Sequence, residues 1–171
     1  LYRRNPGEWR RSGHASRQAA LDVLAASIRQ QQAPPTLLGR RDIAALALAL
    51  TPEFSGDRVA AFIYANADML IAAHGGKTSF HLLDGQDPQH LHNAARNIET
   101  AIWMLATRRT ASGQPLLLAD EVNERERNLS FEREFGKIVG RLDLVAAYLT
   151  EKYRRAAIGY VQGLLGGRGV R

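Results

Sequence analysis

After Pro115 the chain contains no further proline, and from Ser130 to about Leu165 its apolar residues recur three and four positions apart. That spacing places them on one face of an α-helix and does not match the alternation of a half-buried strand. The same period governs the earlier segments, which are cut apart by stop signals. A first helix is expected from about Ser16 to Gln32, with Leu21, Leu24 and Ile28 as its stripe and Pro34-Pro35 as its end. A short one from about Gly39 to Leu50 is apolar on most sides and is expected at the centre of the core. The next opens after Thr51-Pro52 or Ser55, turns Val59, Phe62, Ile63, Leu70 and Ala73 inward, and stops at Gly75-Gly76. Asn66 shares that inward face and is expected to be a hydrogen-bonded core residue.

Asp87-Pro88 pairs an N-cap with a first-turn proline and so starts another helix, whose stripe is Leu91, Ala95, Ile98, Ile102 and Leu105. Arg108-Arg109 would complement the dipole at its end, and Trp103 lies off the stripe as a candidate contact residue. The loop Thr110–Pro115 precedes an expected fifth helix at about Leu116–Arg127, on which Glu121 and Arg125 are spaced for an ion pair. Nowhere does period-2 alternation persist. The expected fold is all-α: a single compact bundle of about six helices over residues 14–165, with a long C-terminal helix. Residues 1–13, aperiodic with four arginines around Tyr2 and Trp9, read as a basic arm, and 166–171 as a basic tail.

A length of 171 residues supports one domain with a real core. The absence of cysteine excludes disulfides, thiolate catalysis and cysteine-ligated zinc, and fits a reducing, cytoplasmic setting. No apolar run spans a bilayer, and the basic start leads into Gly7-Glu8-Trp9 instead of the apolar core of a signal peptide. The chain opens on Leu1, so residues preceding it are expected. Twenty of the 23 basic residues are arginine. Residues 1–41 carry a net +6, residues 42–100 a net −4 and residues 101–171 a net +4. Arginine's planar fork suits phosphate and carboxylate, so this distribution points to a polyanion or to other subunits. The acidic middle of one copy facing the basic end of the next would give a head-to-tail contact.

The last helix sharpens this. At 100° per residue from Arg133, Lys137 falls at about 40°, Arg141 at about 80°, Tyr148 at about 60°, Lys152 at about 100° and Arg155 at about 40°. Five cations and an aromatic thus form one strip, roughly 33 Å long at 1.5 Å per residue. Glu134 and Glu151 border or enter it. Phe131, Ile138, Leu142, Val145, Leu149, Tyr153, Ala156 and Tyr160 lie opposite, on the expected core face. The strip suits a phosphate backbone, with Tyr148 placed to stack on a base. Arg3, Arg4, Arg10 and Arg11 of the arm would add reach. Gly136 and Gly140 lie beside the strip, where a missing side chain lets another backbone approach.

No other motif carries chemistry. His74-Gly75-Gly76-Lys77-Thr78 lacks the upstream glycine, preceding strand and following helix of a phosphate-binding loop. His74, His81, His90 and His92 gather near Asp84 and Asp87, but His90 and His92 are about 200° apart on a helix and cannot share a metal from one. No nucleophile signature accompanies them. Neither enzyme activity, cofactor nor metal is expected.

In general character the chain is similar to the small, helical, arginine-rich subunits that line nucleic acid in ribonucleoprotein machines, such as the small subunits of CRISPR effector complexes, and to helical nucleocapsid proteins. That resemblance attaches to no particular residues. The expectation is a non-catalytic helical subunit that binds RNA or single-stranded DNA through its phosphates, independent of sequence, within a multi-subunit assembly and away from membranes. The alternative is an adaptor whose arginines bind acidic protein surfaces.

Overall fold

The computed structural model describes residues 1–77, 86–122 and 127–166. Among them, each stop signal ends a helix, and the fold is the expected all-α bundle. The helices are α1 (Pro6–Arg11), α2 (Arg17–Gln30), α3 (Asp42–Ala49), α4 (Arg58–Ala73), α5 (Pro88–Thr107) and α6 (Ser130–Gly166). Caps follow the sequence: the Ser16 hydroxyl accepts from Ala19 N–H, Asp57 from Ala60 N–H and Asp87 from Gln89 N–H. Gly75 and Gly76, both at positive φ, close α4, with Gly76 N–H donating to the Ile71 carbonyl at 2.8 Å.

The centre of the core is α4, where the sequence placed the segment that became α3. α4 packs against α1, α2, α3 and α5 and is buried along most of its length. α3 is only eight residues long and leaves Ile43 at the surface. Its apolarity is spent differently: Leu46, Ala49 and Leu50 are buried, while its C-terminal carbonyls need partners. Two arginines supply them. Arg58 donates to Ala49 O and Thr51 O at 2.9 and 2.8 Å, and Arg108 donates to Ala47 O and Leu50 O, both at 3.1 Å. Arg108 therefore complements the end of α3, not that of its own helix. Asn66 is buried and donates to Phe62 O at 2.8 Å.

Residues 1–13 are not an arm. Tyr2 is buried, and its hydroxyl donates to the buried Asp57 carboxylate at 2.6 Å. Glu8, buried on α1, accepts the Arg58 backbone N–H at 2.7 Å. Both contacts fix the chain start to the N-terminal end of α4, where unpaired N–H groups favour carboxylates. The signal was present in Asn5-Pro6, with Glu8 in the first turn and Arg10 and Arg11 in the last, the same grammar as Asp87-Pro88.

The expected fifth helix is also corrected. The chain bends at Leu116 and Leu117 and forms no helix through Asp120, and Glu121–Val122 pair antiparallel with Arg127–Asn128. The Asn5 side chain takes both backbone groups of Leu118, accepting its N–H at 2.8 Å and donating to its carbonyl at 2.9 Å, which removes them from any helical ladder. Arg125 of the expected Glu121–Arg125 pair lies outside the described residues, as does the tail beyond Gly166.

Candidate nucleic-acid interface

α6 is 37 residues long and runs antiparallel to α5. Phe131 lines a cavity with Ile102 and Leu105 near the end of α5, Asp143 meets Arg96 at 2.6 Å midway, and the Tyr153 hydroxyl donates to Gln86 O at 3.1 Å just ahead of α5. Phe135, Val139, Leu142, Ala146 and Leu149 are buried, at alternating spacings of four and three. The Phe131 and Phe135 rings lie 4.3 Å apart and reach the Phe62 ring of α4 at 6.0 and 5.9 Å. The buried face is displaced from the expected one towards Phe135, Val139 and Ala146. Tyr153 and Tyr160, expected in the core, are exposed because α5 has no residues left to cover them.

On the other side of α6, Arg133, Lys137, Arg141, Tyr148, Lys152 and Arg155 are all exposed. The two carboxylates in the strip divide its cations. Lys137 is bound by Glu134 at 2.8 Å, and Arg155 by Glu151 at 2.7 Å; Arg154 also binds Glu151, at 2.8 Å. The hydrogen bond from Lys137, then its charge, holds the Glu134 carboxyl below its usual range. Hydrogen bonds from Arg154 and Arg155 push that of Glu151 down to about 2. Arg133, Arg141 and Lys152 carry no ion pair among the described residues. Tyr148 is 49% exposed, and Leu144, one turn earlier at about 20° on the same scale, is 70% exposed. Leu144 was missed in the sequence, although its position off the apolar face was the available signal.

The four N-terminal arginines divide as well. Arg3 and Arg4 line a cavity of about 570 Å³ together with Leu1, Ser130, Phe131 and Glu134, so they lie beside the first turns of α6. Arg133 lines a neighbouring cavity of about 700 Å³ with Ser130 and Gly136. Arg10 and Arg11 are on α1, which packs against α4 and α2. Arg11 pairs with Glu8 at 3.3 Å, and Arg10 lies 5.0 Å over the Trp9 ring. The structure therefore joins Arg3 and Arg4 to the head of the strip and leaves Arg10 and Arg11 elsewhere. Trp103 is 64% exposed on α5.

The acidic middle is partly consumed inside the fold. Asp57 and Asp68 are buried, the first held by Tyr2 and the second by a two-pronged ion pair with Arg41. Asp84 lies outside the described residues, which leaves Asp42, Glu53, Asp87 and Glu99 on the surface. His74 Nδ1 lies 2.7 Å from Leu70 O, and the His90 and His92 rings lie 3.8 and 3.9 Å from the Asp87 and Asp143 carboxylates; His81 lies outside the described residues. No group of three metal-ligating side chains converges among the described residues. No helix among them is long and apolar enough to cross a membrane.

The chain matches no protein-family model, and neither a curated protein nor a solved structure is significantly similar to it.

Proposed function

We propose that this protein is a non-catalytic, cytoplasmic subunit that binds single-stranded nucleic acid, RNA or DNA, along α6 as part of a multi-subunit assembly. One observation carries this: Arg133, Arg141 and Lys152 stand exposed on one helix face, without ion pairs among the described residues, with exposed Tyr148 among them. Such cations can neutralise successive phosphates and release counterions, which favours binding to any sequence. Tyr148 offers a face on which a base can stack, a contact of about 1–3 kcal/mol. Exposed Arg3 extends the track beyond the start of α6, with half-buried Arg4 beside it. Phosphate contacts of this kind alone give affinities of roughly 10⁻⁴–10⁻⁶ M at physiological salt, so binding gains from neighbouring subunits.

The test is filter binding with single-stranded RNA and DNA across a salt series, for the wild type and for Arg133→Gln/Arg141→Gln/Lys152→Gln. Each lost phosphate contact flattens the plot of log affinity against log salt by about 0.7, so the triple variant should lose roughly 2 units of slope. All sequences should weaken alike, and the melting temperature should stay put. Unchanged affinity and slope would refute the proposal. Leu144 favours a second reading in that case: a large apolar side chain inside a cationic strip suits an acidic protein surface with a hydrophobic anchor, the adaptor role.

A further inference from the structure

Trp103 takes no part in the buried face of α5: it is 64% exposed, although Ala101, Met104 and Leu105 around it are buried. Its level on the bundle follows from α6. The contact between Arg96 and Asp143, at 2.6 Å, pins the two helices to each other. Trp103 comes seven residues after Arg96, and Gly136 seven before Asp143. Each step is about 10.5 Å along the axis and about 20° in rotation. Because α5 and α6 run antiparallel, both steps go the same way. Trp103 therefore stands level with Gly136, on the outer edge of the helix pair that Arg96 and Asp143 occupy. Ile102 and Phe131, which line one cavity, are consistent with the same alignment.

Gly136 leaves room at that level. A methyl group added there, or at Gly140 one turn on, would meet nothing within 4 Å, so the chain's own packing does not require glycine at either. Glycine also weakens a helix relative to alanine. Gly136 and Arg133 share the cavity of about 700 Å³ at the head of α6, a volume within the roughly 300–1,000 Å³ of small-molecule sites. Round the helix, Arg133 lies about 60° from Gly136. A notch floored by glycine backbone thus has an exposed indole on its α5 side and an exposed arginine on its α6 side. Glu99, the only acid of α5, is answered by Arg96 at 3.2 Å and sets no bare negative charge beside it.

We propose that Trp103 is a base-stacking platform: a nucleobase of the single strand bound along α6 enters the notch over Gly136 and stacks on the indole, while Arg133 takes a phosphate beside it. The inference rests on the nucleic-acid reading and adds to it a site for a base on α5. The neighbourhood selects the occupant. A flat apolar face next to an arginine without an ion pair among the described residues fits a ligand that is planar in one part and anionic in the next, as a nucleotide is. Stacking of this kind accepts any sequence, because every base has a π-face. Tyr148 lies twelve residues beyond Gly136, about 18 Å along the axis, so the two rings take different bases.

The chain has two tryptophans, so Trp9→Phe leaves Trp103 as the sole indole reporter. In that variant an oligodeoxythymidylate should quench the fluorescence, with a midpoint matching the affinity from filter binding. An abasic strand with the same number of phosphates should bind without quenching. Trp103→Ala should weaken binding of the base-bearing strand by roughly 5- to 100-fold and that of the abasic strand not at all. Its salt slope and melting temperature should stay those of the wild type, since the indole is exposed. Gly136→Leu, which fills the notch, should weaken the base-bearing strand in the same way while melting no lower than the wild type, because a glycine leaves the helix. Two results would overturn the inference. Salt-dependent binding that is lost in Arg133→Gln/Arg141→Gln/Lys152→Gln, with Trp103 unquenched and Trp103→Ala binding like the wild type, would remove the platform and leave the phosphate track standing. An absence of salt-dependent binding would remove both. Either result would turn Trp103 over to a protein partner, for which an exposed tryptophan is a common anchor.

Discussion

Arg58 and Arg133 are the same residue in opposite circumstances. Arg58 is buried between α1, α3 and α4, with its guanidinium donating to Ala49, Thr51 and Phe54 carbonyls and its charge answered by Glu8. Burial pulls its pKa below the usual arginine range, and Glu8 opposes the shift. Arg133 sits on the outer face of α6 with no ion pair among the described residues. Arg41, Arg96 and Arg108 are also engaged within the fold, each with an acid or a helix end. An arginine-rich composition is therefore two populations: one builds the bundle, and the other, exposed on α6, is the one the proposed interface draws on.

The largest effect separates the two populations at Arg58. Arg58→Leu leaves the Glu8 carboxylate buried with less compensation and strips three carbonyls of their donor. Breaking a buried pair from one side costs about 3–5 kcal/mol. For a domain of this size that lowers the melting temperature by roughly 10 °C. The salt slope of nucleic-acid binding, measured well below the transition, should equal that of the wild type. A changed slope with unchanged stability would place Arg58 in the wrong population.

Tyr2→Phe is smaller and tests whether the chain start belongs to the bundle. It removes the donor facing buried Asp57, and an unsatisfied buried acceptor costs about 1–3 kcal/mol. Chemical denaturation should detect this as a lower midpoint at constant slope. A wild-type midpoint would return residues 1–13 to the status of an arm. This segment also shows where the sequence was legible and where it was not. Helix limits set by local chemistry, such as Ser16, Gly75-Gly76 and Asp87-Pro88, could be read directly because cap and stop act within a turn. The contacts of Tyr2 with Asp57 and of Asn5 with Leu118 bridge dozens of residues, and no local pattern encodes them. They decide that 1–13 pack and that Leu116–Asp120 stay out of a helix. The strip on α6 was legible because one helix carries it. Its pairing with Arg3 and Arg4 was not, because that required the fold.

The smallest effect lies inside the strip, where Glu151 holds Arg155. In the folded chain the Glu151 carboxyl titrates near 2, below its ordinary 4.5, because Arg154 and Arg155 hydrogen-bond it. A depressed carboxylate pKa means that these ion pairs are fully present above the ordinary value and are lost only as pH falls from about 4.5 towards about 2. Between about pH 5 and about pH 8 Glu151 stays charged and keeps competing with phosphate for Arg155. Glu151→Gln ends that competition. If Arg155 then makes one further phosphate contact, the salt slope steepens by about 0.7 and affinity rises modestly at low salt. The ratio of variant to wild-type affinity should be flat across that pH range, which cancels histidine titration common to both. A ratio of one at every pH would show that Arg155 takes no part, and would confine the interface to Arg133, Arg141 and Lys152 with Tyr148.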